Sequence, residues 1–414
     1  MADDQKDIWN DEDGEERSAE HGRLKRFLIF LLVLVLVLAV VMVAAWRDGT
    51  GFDAIRRWIS YGGSTEDQTA AFDYDADRTN RFAVLGGSLL VASNTNIELL
   101  GEDGAVLYSQ PGPMNAPSIS VGKSLACVVD SGGTSLTVLN GKGMAYQLTA
   151  DTEAPFITAT MNSSDWLAVT AEKKSYKGCV SVYDPSGELV FTFDSSDRYV
   201  IDACVSADNQ YLAAVTLGQE NGTFLSSIVL YPLEGTKAPA SYSDSSGQLL
   251  QTIEPSASYS IRNALVLQIG NFDGCLTAVS DTCLTFAGTD GKVKATYDYA
   301  GRYLREYDLG GDGYVALLLN RSKSGSTGQL VTVNTAGEEV GTLSVKDQIL
   351  NISAAGRYLA VLYSDSLVLY TPDLLEYARL EDTGSARDVL MRKDGSAVVA
   401  GSERAELYLS LIHI

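Results

Sequence analysis

"AAGRYLAVLYSDSLVLYTPD" (residues 354–373) reads as two short apolar runs split by polar residues and closed by a proline-containing turn. Runs of five or six β-branched, leucine and tyrosine residues bounded by such turns are strand signals. The stretch is one instance of a pattern that the chain repeats. "SAAGRYLAVLY" (353–363) aligns with "SADNQYLAAVT" (206–216), "MNSSDWLAVTA" (161–171) and "LGGDGYVALLL" (309–319). Weaker copies are "AVLGGSLLVAS" (83–93), "ISVGKSLACVV" (119–129), "GNFDGCLTAVS" (270–280) and "MRKDGSAVVAG" (391–401). In each, a polar or glycine turn precedes an apolar run. The sixth residues of these windows are 88, 124, 166, 211, 275, 314, 358 and 396, mostly 36 to 45 apart, with one interval of 64.

A second element follows at a near-fixed offset. "GEDG" (101–104), "NGKG" (140–143), "DPSG" (184–187), "GTDG" (288–291) and "NTAG" (334–337) each end in a glycine flanked by strand-like runs, and "TPDL" (371–374) takes that place in the seventh copy. Glycine at such a point supplies the positive φ that a hairpin return requires. A unit of roughly 40 residues with four short strands is the signature of a β-propeller blade. One blade cannot bury both its faces, whereas a ring of blades can. The fold expected is therefore all-β: a β-propeller of about eight four-stranded blades, with seven as the alternative, preceded by one transmembrane helix. A pair of β-sandwiches is the competing arrangement.

The ends of the repeat make a sharper expectation. The eighth copy runs through "AVVAG" and "AELYLS" and stops without an outer strand, while "AAFDYDA" (70–76) precedes the first copy with no blade of its own. Residues 70–76 are predicted to supply the missing strand and so remove an open edge. The 64-residue interval marks an irregular blade near 211–275 with two polar stretches read as loops, "GQENGTF" (218–224) and "EGTKAPASYSDSSGQ" (234–248). Long loops on a rigid frame are where binding surfaces concentrate; a tolerated insertion is the alternative.

Ahead of the repeats, "FLIFLLVLVLVLAVVMVAAW" (27–46) is a run of twenty uncharged residues. At ~1.5 Å per residue it matches a ~30 Å hydrocarbon core and exceeds the usual apolar stretch of a cleaved signal peptide. Arg23, Lys25 and Arg26 precede it directly, and Arg47, Arg56 and Arg57 follow, which places the N-terminus in the cytoplasm and the propeller outside. The expected organisation is an acidic cytoplasmic tail (1–22), a signal-anchor helix (23–47), a juxtamembrane amphipathic helix and linker (48–69), the propeller (70–409) and a terminal "LSLIHI" whose residues 410–414 break the pattern. Within the linker, "GFDAIRRWISYGG" (51–63) suits a helix lying at the interface or one capping the next domain.

Charge and composition then narrow the function. The net charge is −22; residues 1–22 carry nine acids and two bases, residues 23–61 six bases and two acids, leaving −19 on the remainder. Such a body repels phosphate backbones, so no nucleic-acid partner is expected. The only histidines, His21 and His413, lie outside the repeats, which removes histidine triads and histidine metal sites from the propeller. Cys127, Cys179, Cys204, Cys275 and Cys283 contain no C-x-x-C pair and read as buried thiols, with a Cys275–Cys283 bridge as the alternative. Asp73, Asp75 and Asp77 in "DYDAD" are weak calcium candidates, since Arg78 and Val84 stand where an EF-hand needs glycine and an acid. "DLGGDG" (308–313) reads as a structural turn, and the tyrosines at 211, 314, 358, 183, 231 and 370 as packing between blades. No cofactor is implied.

Four stretches, "RRWISYGG" (56–63), "GRYLREYDLGGDGYVALLL" (301–319), "ISAAGRYLAVLYSDSLVLYTPDL" (352–374) and "EDTGSARDVLMRKDGSAVV" (381–399), resemble a family of uncharacterised single-pass membrane proteins of Gram-positive bacteria. In that family a WD-repeat or quinoprotein-like propeller stands outside the membrane. The resemblance implies architecture and location and assigns no functional residue. Two classes of function follow: a non-catalytic module binding a protein or cell-wall component, or an extracytoplasmic glycan hydrolase or lyase that uses only carboxylates and tyrosines. A cluster of acids converging at the central channel or at one rim, with raised pKa values, would favour the second.

Overall fold

The second strand of every repeat lies within one residue of the position that the repeat marks. The structure, a computed structural model, describes residues 29–37, 70–75, 77–233, 254–323, 325 and 327–408. Its strands form eight four-stranded antiparallel sheets. Blades 1 to 7 follow one another along the chain, beginning with the strands Arg81–Leu85, Pro117–Val121, Phe156–Met161, Tyr199–Val205, Val266–Phe272, Tyr303–Asp308 and Ile349–Ala355. Blade 8 takes Asp388–Met391, Ala397–Ala400 and Arg404–Tyr408 from the C-terminal end and Ala71–Asp73 from the N-terminal end. Except between blades 5 and 6, first strands pack on those of neighbouring blades, including the closing pair, Asp388–Met391 on Arg81–Leu85. The ring has eight blades.

Second strands are sandwiched between adjacent sheets, which is why they read as continuous apolar runs. Leu125–Asp130, Cys275–Ser280, Val315–Asn320 and Tyr358–Tyr363 are buried at every position. Fourth strands lie at the rim and face water, as in Val106–Pro111. The core is accordingly divided into layers between blades. One layer joins Tyr314 and Leu330 of blade 6 to Val361, Tyr363, Val368 and Tyr370 of blade 7. Five of the recurring tyrosines belong to these layers, Tyr314, Tyr358, Tyr231 and Tyr370 buried and Tyr183 half-buried, whereas Tyr211, also half-buried, is in none of them.

The turns between third and fourth strands take the left-handed conformation that the sequence requires of them. Gly104, Gly143, Gly187, Gly291 and Gly337 all have positive φ, and Leu374 takes the same place at φ 60°. Gly104 matters twice, because a Cβ there would overlap the carbonyl oxygen of Ala71 in the closing strand. That strand pairs as expected: Ala71 with Glu406, Phe72 with Ala405 and Asp73 with Arg404. The "DLGGDG" turn is structural too. Asp312 N–H donates to the Gly356 carbonyl (2.7 Å) and Gly356 N–H to that of Gly310 (3.2 Å), tying blade 6 to blade 7.

Two expectations need correction. "GQENGTF" is not a loop. Tyr211–Glu220 and Thr223–Pro232 pair without interruption, and Asn221 (φ 51°) and Gly222 (φ 81°) form the two-residue turn that joins them. Asn-Gly with both φ values positive matches the twist of the flanking strands, so a polar composition here extends a hairpin. A Cys275–Cys283 bridge does not form, and all five cysteines are unpaired. The register Leu276 with Ala287 and Val279 with Leu284 sets these two residues at opposite ends of their hairpin.

Antiparallel order fixes two faces of the ring. Turns between first and second and between third and fourth strands open on one; turns between second and third strands, and the connections between blades, open on the other, here the connecting face. The closing strand begins at Ala71 on the former, so the chain enters the ring opposite the connecting face. Residues 29–37 form a helix with every side chain exposed, and among the described residues no helix is long and apolar enough to cross a membrane. The rest of 27–46, the tail 1–22, the stretch 51–63, the loop 234–248, both histidines and "LSLIHI" lie outside the described residues.

Candidate functional site

The first strand of each blade has a hydrogen-bonded neighbour on one side only, so its inward backbone groups need other partners. Side chains of the adjoining blade supply them at intervals set by the repeat. Ser120 Oγ accepts from Met161 N–H (2.9 Å), Asp202 Oδ2 from Ile269 N–H (2.8 Å) and Asp308 Oδ2 from Ala354 N–H (2.8 Å). Glu306 Oε1 accepts from the Asn351 amide (3.1 Å) and Ile352 N–H (3.3 Å). Asn351 Oδ1 and Ser353 Oγ accept in turn from Val389 N–H (3.3 Å) and Met391 N–H (3.0 Å). Asp202 reaches both ways, since Thr158 Oγ1 donates to its Oδ1 at 2.9 Å.

Blades 3 to 7 prepare this belt with a register shift at one equivalent place, between Phe156 and Thr158, Val200 and Asp202, Val266 and Gln268, Leu304 and Glu306, and Ile349 and Asn351. A bulge re-aims the residue that follows it, and in all five blades that residue is polar. The sequence does carry a signal for these positions, because each lies seven to nine residues ahead of its window's sixth residue. One polar residue inside an apolar run gives no hint of an inter-blade role without the neighbouring blade.

Burial pushes Asp202, Asp308 and Asp388 up to about 6. Glu306 rises to about 7, by burial first, against the Ile352 N–H bond and with the Asp388 charge adding to it. Open-chain carboxyls titrate near ~4. Folding therefore favours the protonated form of these four groups; their stabilisation is complete below about pH 4 and is lost as pH rises through 6 to 7. Asp165 acts in the opposite sense. Burial works to raise its pKa, but the Ser124 hydroxyl and the N–H groups of Ser124, Leu125 and Lys123 outweigh it and hold it low. The melting temperature is thus expected to be higher at pH 5.5 than at pH 8, and Asp202→Asn should flatten part of that difference. A profile that rises towards pH 8 would contradict the burial of these carboxyls.

On the connecting face, blade 4 stands out. Its first strand starts opposite Leu217 and its fourth ends opposite Leu225, so residues 218–224 project beyond the sheet as a two-stranded finger. Phe224 on the finger is 64% exposed, and a salt bridge from Arg262 to Glu220 (3.1 Å) braces it. Tyr199, Leu265, Leu267 and Tyr303, also exposed, lie where the first strands of blades 4 to 6 begin, on this same face. Loose apolar residues are ordinary; five on one face of three successive blades make a surface suited to contact.

Of the calcium candidates, Asp73 pairs loosely with Arg404 (3.9 Å), and Asp77 Oδ1 accepts from the N–H and hydroxyl of Thr79 (2.8 Å each). Asp75 is exposed. Among the described residues no three histidine, cysteine, aspartate or glutamate side chains are gathered as a metal ion would need. Burial pushes the thiols of Cys127, Cys204 and Cys179 up, which suits packing and not nucleophilic attack.

An eight-bladed ring with repeats across nearly the whole chain can be set beside known proteins. Residues 63–373 match a family of unknown function, DUF5711. The chain belongs to that family. No curated protein matches it. Among solved structures it is similar to BamB from Moraxella catarrhalis (TM-score 0.51, 14% identity, 83% of this chain and 97% of that one). It is also similar to the C-terminal WD40 domain of Sif2 (TM-score 0.55, 13% identity, again 83% and 97%). At these identities the likeness establishes the propeller fold, which hosts many unrelated functions.

Proposed function

We propose that this DUF5711 protein is a non-catalytic binding module, a rigid ring tethered at the outer face of a cell membrane through residues 27–46 that presents its connecting face to a protein or cell-envelope partner. The finger of blade 4 carries the reading. It is the one place in the seven blades that follow one another along the chain where the second and third strands both reach ten residues, and near its base it exposes Phe224. Exposed aromatics on a rigid support lose little entropy on binding and are common anchors. The tether is supported by the twenty uncharged residues and the preceding Arg23, Lys25 and Arg26.

The test is crosslinking of the tagged full-length protein in intact cells, compared with a variant in which Leu217 and Leu225 are joined by Asn-Gly in place of 218–224. The finger lies outside the four-stranded sheet, so the melting temperature should hold while captured partner falls at least tenfold. Full capture by the shortened protein would overturn the reading.

A carboxylate-dependent glycan hydrolase or lyase is the second reading, favoured by Glu306, whose raised pKa keeps a fraction protonated near neutral pH, the state a general acid needs. Its Oε1, however, accepts from Asn351 and Ile352. Asp202, Glu306 and Asp308 are occupied in joining blades, which weighs towards binding.

A further inference from the structure

Two clefts open on the connecting face at blades 6 and 7 and share Gln348, in the connection between these blades. One, of about 400 Å³, is lined by Tyr303, Arg305, Asn320, Lys323 and Gln348 among others. The other, of about 560 Å³, extends towards Lys346, Asp347, Tyr363, Asp365 and Arg379. Both fall within the usual size of ligand sites.

Their charges differ. On a chain of net charge −22 the smaller cleft has two cations and no carboxylate in its lining. The Asn320 amide is used within the cleft, donating to the Gly325 carbonyl (2.7 Å), while the two cations keep donors to spare. The Lys323 ammonium lies 5.8 Å from the centre of the Tyr303 ring and, among the described residues, makes no ion pair. Arg305 donates from Nη2 to the Ile349 carbonyl (3.1 Å), which orients the guanidinium and leaves its other N–H groups. The Gln348 carboxamide has no partner among the described residues. The larger cleft mixes signs, with Lys346 and Arg379 against Asp347, Asp365 and Glu381.

We propose that this paired groove binds an anionic saccharide, its acidic group against Arg305 and Lys323 and its neighbouring hydroxylated units along the mixed-sign cleft. Guanidinium and ammonium groups match a carboxylate in charge and, for arginine, in fork geometry. Carboxylate, amide and guanidinium side chains along the larger cleft can exchange hydrogen bonds with sugar hydroxyls, and Tyr303, 41% exposed, adds an aromatic surface in the smaller cleft. A peptide partner would call for a buried apolar anchor pocket, which this polar lining does not provide. A neutral sugar would leave Lys323 without a counter-charge, whereas Arg305 already faces the Glu306 carboxylate. The site lies on the same connecting face and shares Tyr303 with the contact surface described above, but it does not involve the finger.

Calorimetric titration of the detergent-solubilised full-length protein with a hexamer of galacturonic acid tests it. The fully methyl-esterified hexamer and hexa-aspartate serve as comparisons. The acid hexamer should bind, and the ester and hexa-aspartate should each bind at least tenfold more weakly. Lys323→Glu, at an exposed position, should weaken the acid hexamer at least tenfold at unchanged melting temperature. Deletion of 218–224 should leave this binding intact, so the groove and the finger stand or fall separately. Absence of hexamer binding, equal binding of the ester, or indifference to Lys323→Glu would overturn the proposal. Hexa-aspartate binding as tightly as the hexamer would make the groove an acidic-peptide site and overturn it equally.

Discussion

Phe72→Ala is expected to destabilise the ring by about 3–5 kcal/mol, the usual cost of removing a buried phenylalanine. The side chain is 1% exposed and belongs to a cluster with Leu89, Val91 and Leu100 of blade 1 and Val398, Ala405 and Leu407 of blade 8. It sits on a closing strand of only three residues. Three paired residues hold the strand weakly by themselves, so the packing of one aromatic side chain decides whether the ring stays closed. Opening would expose the Arg404–Tyr408 strand as a free edge. Asp73→Ala on the same strand is the control, since its pair with Arg404 is exposed and long at 3.9 Å; such pairs contribute about 1 kcal/mol at most. Denaturant midpoints and limited proteolysis near residue 70 would compare the two. Equal effects from both substitutions would show that closure does not depend on the buried ring.

The second large effect is expected at Asp165, in the turn between the first two strands of blade 3. Its Oδ1 accepts from the N–H groups of Lys123 (2.6 Å), Ser124 (2.9 Å) and Leu125 (3.1 Å) in the equivalent turn of blade 2, and its Oδ2 from the Ser124 hydroxyl. Lys123 and Ser124 are exposed, so water can replace the carboxylate there, whereas Leu125 is buried. Asp165 also holds φ 65°, which alanine tolerates poorly and asparagine tolerates well. Asp165→Ala is expected to cost about 3 kcal/mol, from one buried N–H left without a partner and the strain of the backbone. Asp165→Asn keeps the backbone preference and one acceptor oxygen and should cost about half as much. The same denaturation series checks this. An asparagine variant no better than alanine would mean that charge matters here and backbone conformation does not.

Much of the architecture was legible because blades repeat. "RYLAVLY" and its copies mark second strands because those strands are buried on both faces and must be apolar throughout. The turn glycines mark hairpin returns because few other residues accept a positive φ. Residues 70–76 announced closure because a strand without a blade and a blade without a strand are complementary. The finger was not legible, since "GQENGTF" has the composition of a loop and becomes a hairpin through the two φ values at Asn221 and Gly222. Nor was the groove, because Tyr303, Lys323 and Gln348 belong to three separate segments that meet only when blade 6 packs on blade 7.

From its own pattern the chain determines eight strand-rich units, their turns and the means of closing the ring, since periodicity and backbone conformation are local properties. Which polar residues face one another was decided by tertiary structure alone. Asp202 is an ordinary acid in "VIDACV" until Thr158 and Ile269, 44 and 67 residues away, come within hydrogen-bonding distance. Burial among those neighbours, and not the carboxyl itself, is what raises its pKa.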